Sequence, residues 1–82
     1  MPKKGVRRCP LSFQEIRKRL IHFGFVELPK RGKGSHRAFF HPHFRGKKKL
    51  YPVPYHGAGK TLSIPTCEAI RKNLDLTEEE FY

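Results

Sequence analysis

The chain has 82 residues, 37% of them hydrophobic and 30% charged, with a formal charge of +11. That length suits one domain with a single small core. The charge excludes an electrostatically indifferent surface and points to an anionic partner: nucleic acid, an anionic membrane or an acidic protein.

Residues 1–10 read as a basic arm, carrying Lys3, Lys4, Arg7 and Arg8 and ending at Pro10. Cations with no apolar segment behind them do not make a secretory signal. No later run approaches the roughly 20 apolar residues of a membrane span. Cys9 and Cys67 form no CxxC pair, so two free thiols in a reducing cytoplasm are expected.

Residues 11–82 read as one domain. Ser12 and Glu15 have the spacing of a capping box, with Leu11 and Ile16 placed as a hydrophobic staple across it. Phe13, Ile16, Leu20 and Phe23 recur at helical spacing and form one apolar face. Arg17, Lys18 and Arg19 fall largely on the solvated side. Gly24 is suited to the left-handed residue that ends a helix. Residues 25–28 read as a short strand stopped by Pro29, and residues 30–34 as a cationic turn.

A second strand is expected over residues 35–41, with His36, Ala38 and Phe40 on one face and Arg37, Phe39 and His41 on the other. Both faces carry a phenylalanine, so alternation does not say which is buried. Residues 42–49 read as a charged loop. Residues 50–55 read as a third strand, and Pro52 and Pro54 place it at an edge, because proline cannot donate to a ladder. Residues 56–60 form a glycine-containing loop without the P-loop pattern, so nucleotide binding is not implied. A second helix is expected over residues 65–74, with proline in its first turn and Cys67, Ile70 and Leu74 facing inward. Cys67 then reads as a small core residue rather than a nucleophile. Thr77 and Glu80 repeat the capping-box spacing, so a short last turn carries Phe81 or Tyr82 onto the core. The expected class is α+β, ordered α-β-β-β-α, with a three-stranded antiparallel meander and two helices on one face.

Charge segregates along the chain. Residues 30–60 hold nine lysines and arginines and no acidic residue, while five of the seven acidic residues follow position 67. Neutralising phosphates is the physical gain from such a segment. Phe39, Phe40, Phe44, Tyr51 and Tyr55 interleave with its cations. Exposed aromatics there would stack on unpaired bases, although at least three of the five are expected to fill the core of so small a domain. Four histidines, His36, His41, His43 and His56, lie in the same stretch without paired cysteines or a nearby carboxylate. Metal dependence is therefore not expected.

Gly24-Phe25 after the first helix, Gly34-Ser35-His36-Arg37 opening the second strand and Pro54-Tyr55-His56-Gly57 after the third resemble the HicA toxin family, also called YcfA-like mRNA interferases. The resemblance covers residues 11–82. It implies a fold similar to the double-stranded-RNA-binding domain, a small ribonuclease acting on mRNA, and a cognate HicB-like antitoxin protein. It places the family's catalytic histidine on His36. Gly34, Arg37, Pro54, His56 and Gly57 match the motif without an implied catalytic role. The chain departs from the family in the arm of residues 1–10 and in the cationic stretch 44–49.

The residues fit that chemistry without a cofactor. RNA carries its own nucleophile, the 2′-hydroxyl, so the protein must supply a base and positive charge for the crowded phosphorane. Histidine titrates in the right range, and His36 is the expected base. Lys33, Arg37 or Lys60 can stabilise the developing charge, and the sequence does not choose between them. His56 is the one named candidate for an acid. Two other readings explain the charge: a non-catalytic RNA-binding domain of the same fold, and a small ribosomal or nucleoid protein.

Overall fold

The computed structural model describes residues 7–28, 36–57 and 59–82. The first helix begins where its cap puts it. Strand β1 (Leu11–Ser12) runs directly into α1 (Phe13–His22). Ser12 Oγ accepts from the Glu15 N–H at 3.1 Å, and the Glu15 carboxylate accepts from the Ser12 N–H at 2.9 Å. Two otherwise orphaned backbone donors are thereby satisfied. Phe13, Ile16 and Leu20 are buried along one face. At the far end the Gly24 N–H donates to the Ile21 carbonyl and the Phe25 N–H to that of Leu20, the paired bonds of a Schellman motif. Gly24 has φ +91°, and a Cβ there would stand 3.1 Å from His41 Nε2. The motif's Gly-Phe pair thus lets the chain reverse tightly while Phe25 enters the core.

Strands β2 (Val26–Leu28), β3 (His36–Phe44) and β4 (Lys47–Pro54) form an antiparallel sheet in that order. β4 is an edge, as its prolines required. The expected loop over residues 42–49 is instead a hairpin. Arg45 and Gly46 both have positive φ, 51° and 83°, the two-residue turn whose twist matches the flanking strands. A register irregularity between His41 and Phe44 absorbs Pro42, which has no N–H for the ladder. Arg45 tolerates its left-handed conformation with its guanidinium 4.8 Å over the Phe44 ring, donating to the Asp75 carbonyl and to Glu80. Lys49 pairs with the Asp75 carboxylate. The cationic stretch is therefore two strands pinned to the C-terminal segment.

A two-stranded ribbon that the sequence did not announce joins β1 to β5 (Thr61–Leu62), with Leu11 opposite Leu62. It brings the loop after β4 back to the start of α1. Helix α2 (Ile64–Asn73) follows, one residue earlier than its proline suggested, and α3 (Glu78–Phe81) repeats the capping box through Thr77 and Glu80. The core joins Ile16 and Leu20 of α1, Phe39 and Val53 of the sheet, Cys67 and Ile70 of α2, and Phe81. Of the five interleaved aromatics, Phe39 and Phe44 are buried, while Tyr51 and Tyr55 pack against the core half-buried. Phe40 lies half-buried on the other face. The architecture is the expected α-β-β-β-α sheet backed by helices, consistent with the double-stranded-RNA-binding arrangement.

A polar knot closes the C-terminal side. Glu68, 8% exposed, accepts two hydrogen bonds from Arg71 and one from the Tyr82 hydroxyl, and it lies 3.4 Å from Arg8. The last residue of the expected arm's cations is thus held by the domain, Arg8 also pairing with Glu78. The Arg71 hydrogen bonds hold the Glu68 carboxyl at about 2 against burial, which opposes them. A folded-state value below the ordinary one of 4.5 gives stability that is complete above about pH 4.5 and is lost as pH falls toward 2. The wild-type melting temperature should therefore drop across that window. Glu68→Gln should melt lower at pH 7 and show a shallower drop from pH 4.5 to 2. Parallel melting curves for the two proteins would contradict this role.

Candidate functional site

His36 is the first residue of β3 and stands opposite Pro54 of β4. Its side chain is exposed. The pleat sends it to the face shared with Ala38 and Phe40, because Phe39, between them, is fully buried on the helix side with its ring 6.0 Å from that of Phe13. The question left open by a phenylalanine on each face is settled by that burial.

The same pleat separates His36 from Arg37. The Arg37 guanidinium lies on the helix side, 4.5 Å over the Tyr55 ring, and donates to Glu27 at 3.3 Å. Glu27 also accepts from Arg17 of α1 at 2.7 Å. Adjacent in sequence, the two residues point to opposite faces, and Arg37 spends its charge tying β3 to β2 and to the tyrosine after β4. Glu27 escaped notice in the sequence. The available signal was its isolation: it is the one acidic residue between Glu15 and Glu68, and it falls on a strand.

Two other candidates follow the end of β4 that faces His36. His56 is exposed and lies two residues beyond Pro54. Strand rise and ladder spacing then keep its Cα within about 12 Å of that of His36. Lys60 is exposed at the end of a turn in which its N–H donates to the Gly57 carbonyl at 3.1 Å. Its own carbonyl accepts from the Phe13 N–H at 3.4 Å, at the start of α1. Gly57 has φ +121°, and a Cβ there would meet the Lys60 side chain at 3.3 Å. The glycine of the Pro-x-His-Gly motif thus permits the turn that carries Lys60. Lys33, with Gly34 and the rest of the cationic turn, lies outside the described residues.

His41 and His43 lie further along β3. His41 Nδ1 accepts from the His43 N–H at 3.0 Å, and its ring packs against Phe25 and Phe44. Among the described residues, no three side chains of histidine, cysteine, aspartate or glutamate group closely enough to hold a metal ion. Cys67 is fully buried on α2, its thiol pKa pushed up by burial, while Cys9 is exposed. Among the described residues, no helix is long and apolar enough to cross a membrane.

Folding also redistributes the charge. Of the six cations of residues 30–60 that the structure describes, three pair with carboxylates from outside the segment: Arg37 with Glu27, Arg45 with Glu80 and Lys49 with Asp75. Lys47, Lys48 and Lys60 are exposed. Among the described residues, the cationic surface is smaller than the sequence run suggested.

The family model for the HicA toxin of bacterial toxin-antitoxin systems matches residues 13–76. Among curated proteins none matches the chain. The matched span opens with the first residue of α1, passes through the sheet that presents His36 and closes just beyond α2. With 82 residues in all, the chain belongs to the family of HicA toxins of bacterial toxin–antitoxin systems.

Proposed function

We propose that this toxin is an endoribonuclease that cleaves mRNA in the cytoplasm without a metal ion, with His36 as its catalytic base, and that a cognate HicB-like antitoxin silences it. The observation that carries this reading is the place of His36: exposed, at the head of β3, at the end of the sheet from which His56 and the Gly57–Lys60 turn depart. Residues 11–82 act as one catalytic domain, and the arm of residues 1–10 adds phosphate contacts.

The chemistry is a transesterification. His36 takes the proton of the 2′-hydroxyl, whose oxygen attacks the adjacent phosphorus. The bond from phosphorus to the 5′-oxygen breaks, leaving a 2′,3′-cyclic phosphate and a 5′-hydroxyl. The departing oxygen takes its proton from His56 or from water. Positive charge near the phosphorane lowers the barrier most where solvent is displaced, and Lys60 and Lys33 are the residues assigned to it. Arg37 acts through the sheet, holding the strand that presents His36. A single positioned proton-transfer group contributes about 10²- to 10⁴-fold.

Replacing His36 by alanine, with RNA binding and cleavage measured separately, tests the reading. Cleavage should fall by about 10²- to 10⁴-fold while affinity for RNA changes little. Cleavage at a near wild-type rate would overturn the assignment. If the wild type bound RNA without cutting it, the non-catalytic RNA-binding reading would stand instead. Cleavage by the wild type should also persist in excess chelator. Loss in chelator, restored by a divalent ion, would overturn metal independence.

A further inference from the structure

The open face of the sheet has His36 at one end and a cation at the other. Along β3, His36, Ala38 and Phe40 alternate onto this face, and Pro54, Pro52 and Leu50 of β4 stand opposite them. Leu28 and Val26 of β2 flank Ala38 and Phe40 on the other side. Beyond Phe40 the register slips, so that Pro42 and His43 together oppose the single residue Lys48. Lys48 is exposed and follows the alternation of Leu50 and Pro52 onto the open face, while Lys49 turns the other way, to Asp75. By strand rise, Phe40 lies about 13 Å from His36, and Lys48 about 20 Å from Pro54.

These positions suit an unpaired RNA strand. His36 fixes where the scissile phosphate lies, and the helices close the opposite face over Phe39 and Val53. A strand held at His36 and running along β3 therefore crosses Phe40. That ring is half-buried, with Val26 52% and Leu50 57% exposed beside it. A base gains by stacking on such a surface, whereas a phosphate does not. Past the ring, the Lys48 ammonium is available to a phosphate. No carboxylate on the face repels the anion. Glu27 is the only acidic residue within β2, β3 and β4, and Arg17 and Arg37 bind it on the packed side. A duplex cannot use the face in this way, because its bases are already paired and stacked on one another.

We propose that the open face is a track for single-stranded RNA, on which a base near the cleavage position stacks on Phe40 and a phosphate beyond it pairs with Lys48. The proposal rests on the reading of His36 as the residue that meets the scissile phosphate. Phe40 and Lys48 hold the strand across His36 and take no part in proton transfer. Stacking accepts any base, so the track separates unpaired from paired RNA more than one sequence from another. Lys48 lies in the stretch where the chain departs from its family, so the far end of the track is this chain's own.

The test measures binding of a labelled, unstructured RNA oligonucleotide by fluorescence anisotropy, beside the same RNA annealed to its complement. 2′-O-methyl groups on the sugars keep both intact. The variants are Phe40→Leu, which loses the ring, Phe40→Tyr, which keeps it, and Lys48→Gln. Lys72→Gln removes an exposed charge from α2, away from the sheet, and is the control. Circular dichroism and melting confirm each fold, and Lys48→Gln decides alone should Phe40→Leu not fold. Phe40→Leu should bind the single strand at least about fivefold more weakly, with Phe40→Tyr close to the wild type. Its affinity for the duplex should not change. Lys48→Gln should lower the slope of log affinity against log salt by about 0.7, the share of one phosphate on a single strand, and Lys72→Gln should leave it unaltered. Unchanged single-strand affinity in Phe40→Leu overturns the proposal and leaves the apolar face to a protein. Equal weakening on single strand and duplex overturns it too. So does a slope that Lys72→Gln lowers as much as Lys48→Gln, since net charge alone would then hold the RNA. A wild type that binds as expected yet cuts no RNA would support the track and end the ribonuclease reading. A wild type that cuts RNA through His36 while all four variants bind alike would do the reverse.

Discussion

Burial of Phe39 against α1 is the constraint on which the site depends. A strand has a side-chain period of two, so fixing one residue on the helix side fixes its neighbours on the other. Phe39 is wholly buried, its ring against Phe13, with Val53 buried beside it on β4. His36 must then stand on the open face and Arg37 on the packed one. A slip of one residue would carry His36 and Phe40 to the packed side and Phe39 to the open one, so the histidine's position is a by-product of which phenylalanine the core accepts. The Glu27 carboxylate reinforces the same register from the packed side, binding Arg37 of β3 and Arg17 of α1 together.

How far the sequence could be read depended on how local the cause was. Both capping boxes, at Ser12 and Thr77, were legible because the partners lie three residues apart and need nothing else. The glycine ending α1 was legible for the same reason. The edge position of β4 followed from Pro52 and Pro54 alone. By contrast, the hairpin over residues 42–49 looked like a loop. Proline and a lysine run hid the strand pattern, and what stabilises Arg45 in its turn comes from Asp75 and Glu80, thirty residues or more away. The β1–β5 ribbon has only two residues on each side, too few for any periodic signal. The face of β3 was undecidable because Phe39 and Phe40 compete for the core, and only the packing of α1 chooses between them.

The site itself was half legible. Motif spacing singled out His36, and the ladder brings Pro54, His56 and Gly57 to its end of the sheet. His36 and Arg37 are neighbours in sequence, and the pleat sends them to opposite faces of the sheet. Charge behaved similarly. A run of cations free of acids in sequence acquires carboxylates in space, because the C-terminal segment folds back onto the β3–β4 hairpin. What remains exposed among the described residues is a shorter positive edge, with Lys47, Lys48 and Lys60.

The central claim is that His36 works by removing a proton from the substrate's own 2′-hydroxyl. It is tested most directly with RNA bearing a single 2′-O-methyl group at the nucleotide just upstream of a mapped cleavage position. The methyl group removes the proton and the nucleophile while leaving the phosphate and the bases in place. Cleavage at that bond should disappear, binding should persist, and unmodified RNA should yield 2′,3′-cyclic phosphate ends. Continued cleavage at the methylated position would contradict the mechanism, since the nucleophile would then have to be water.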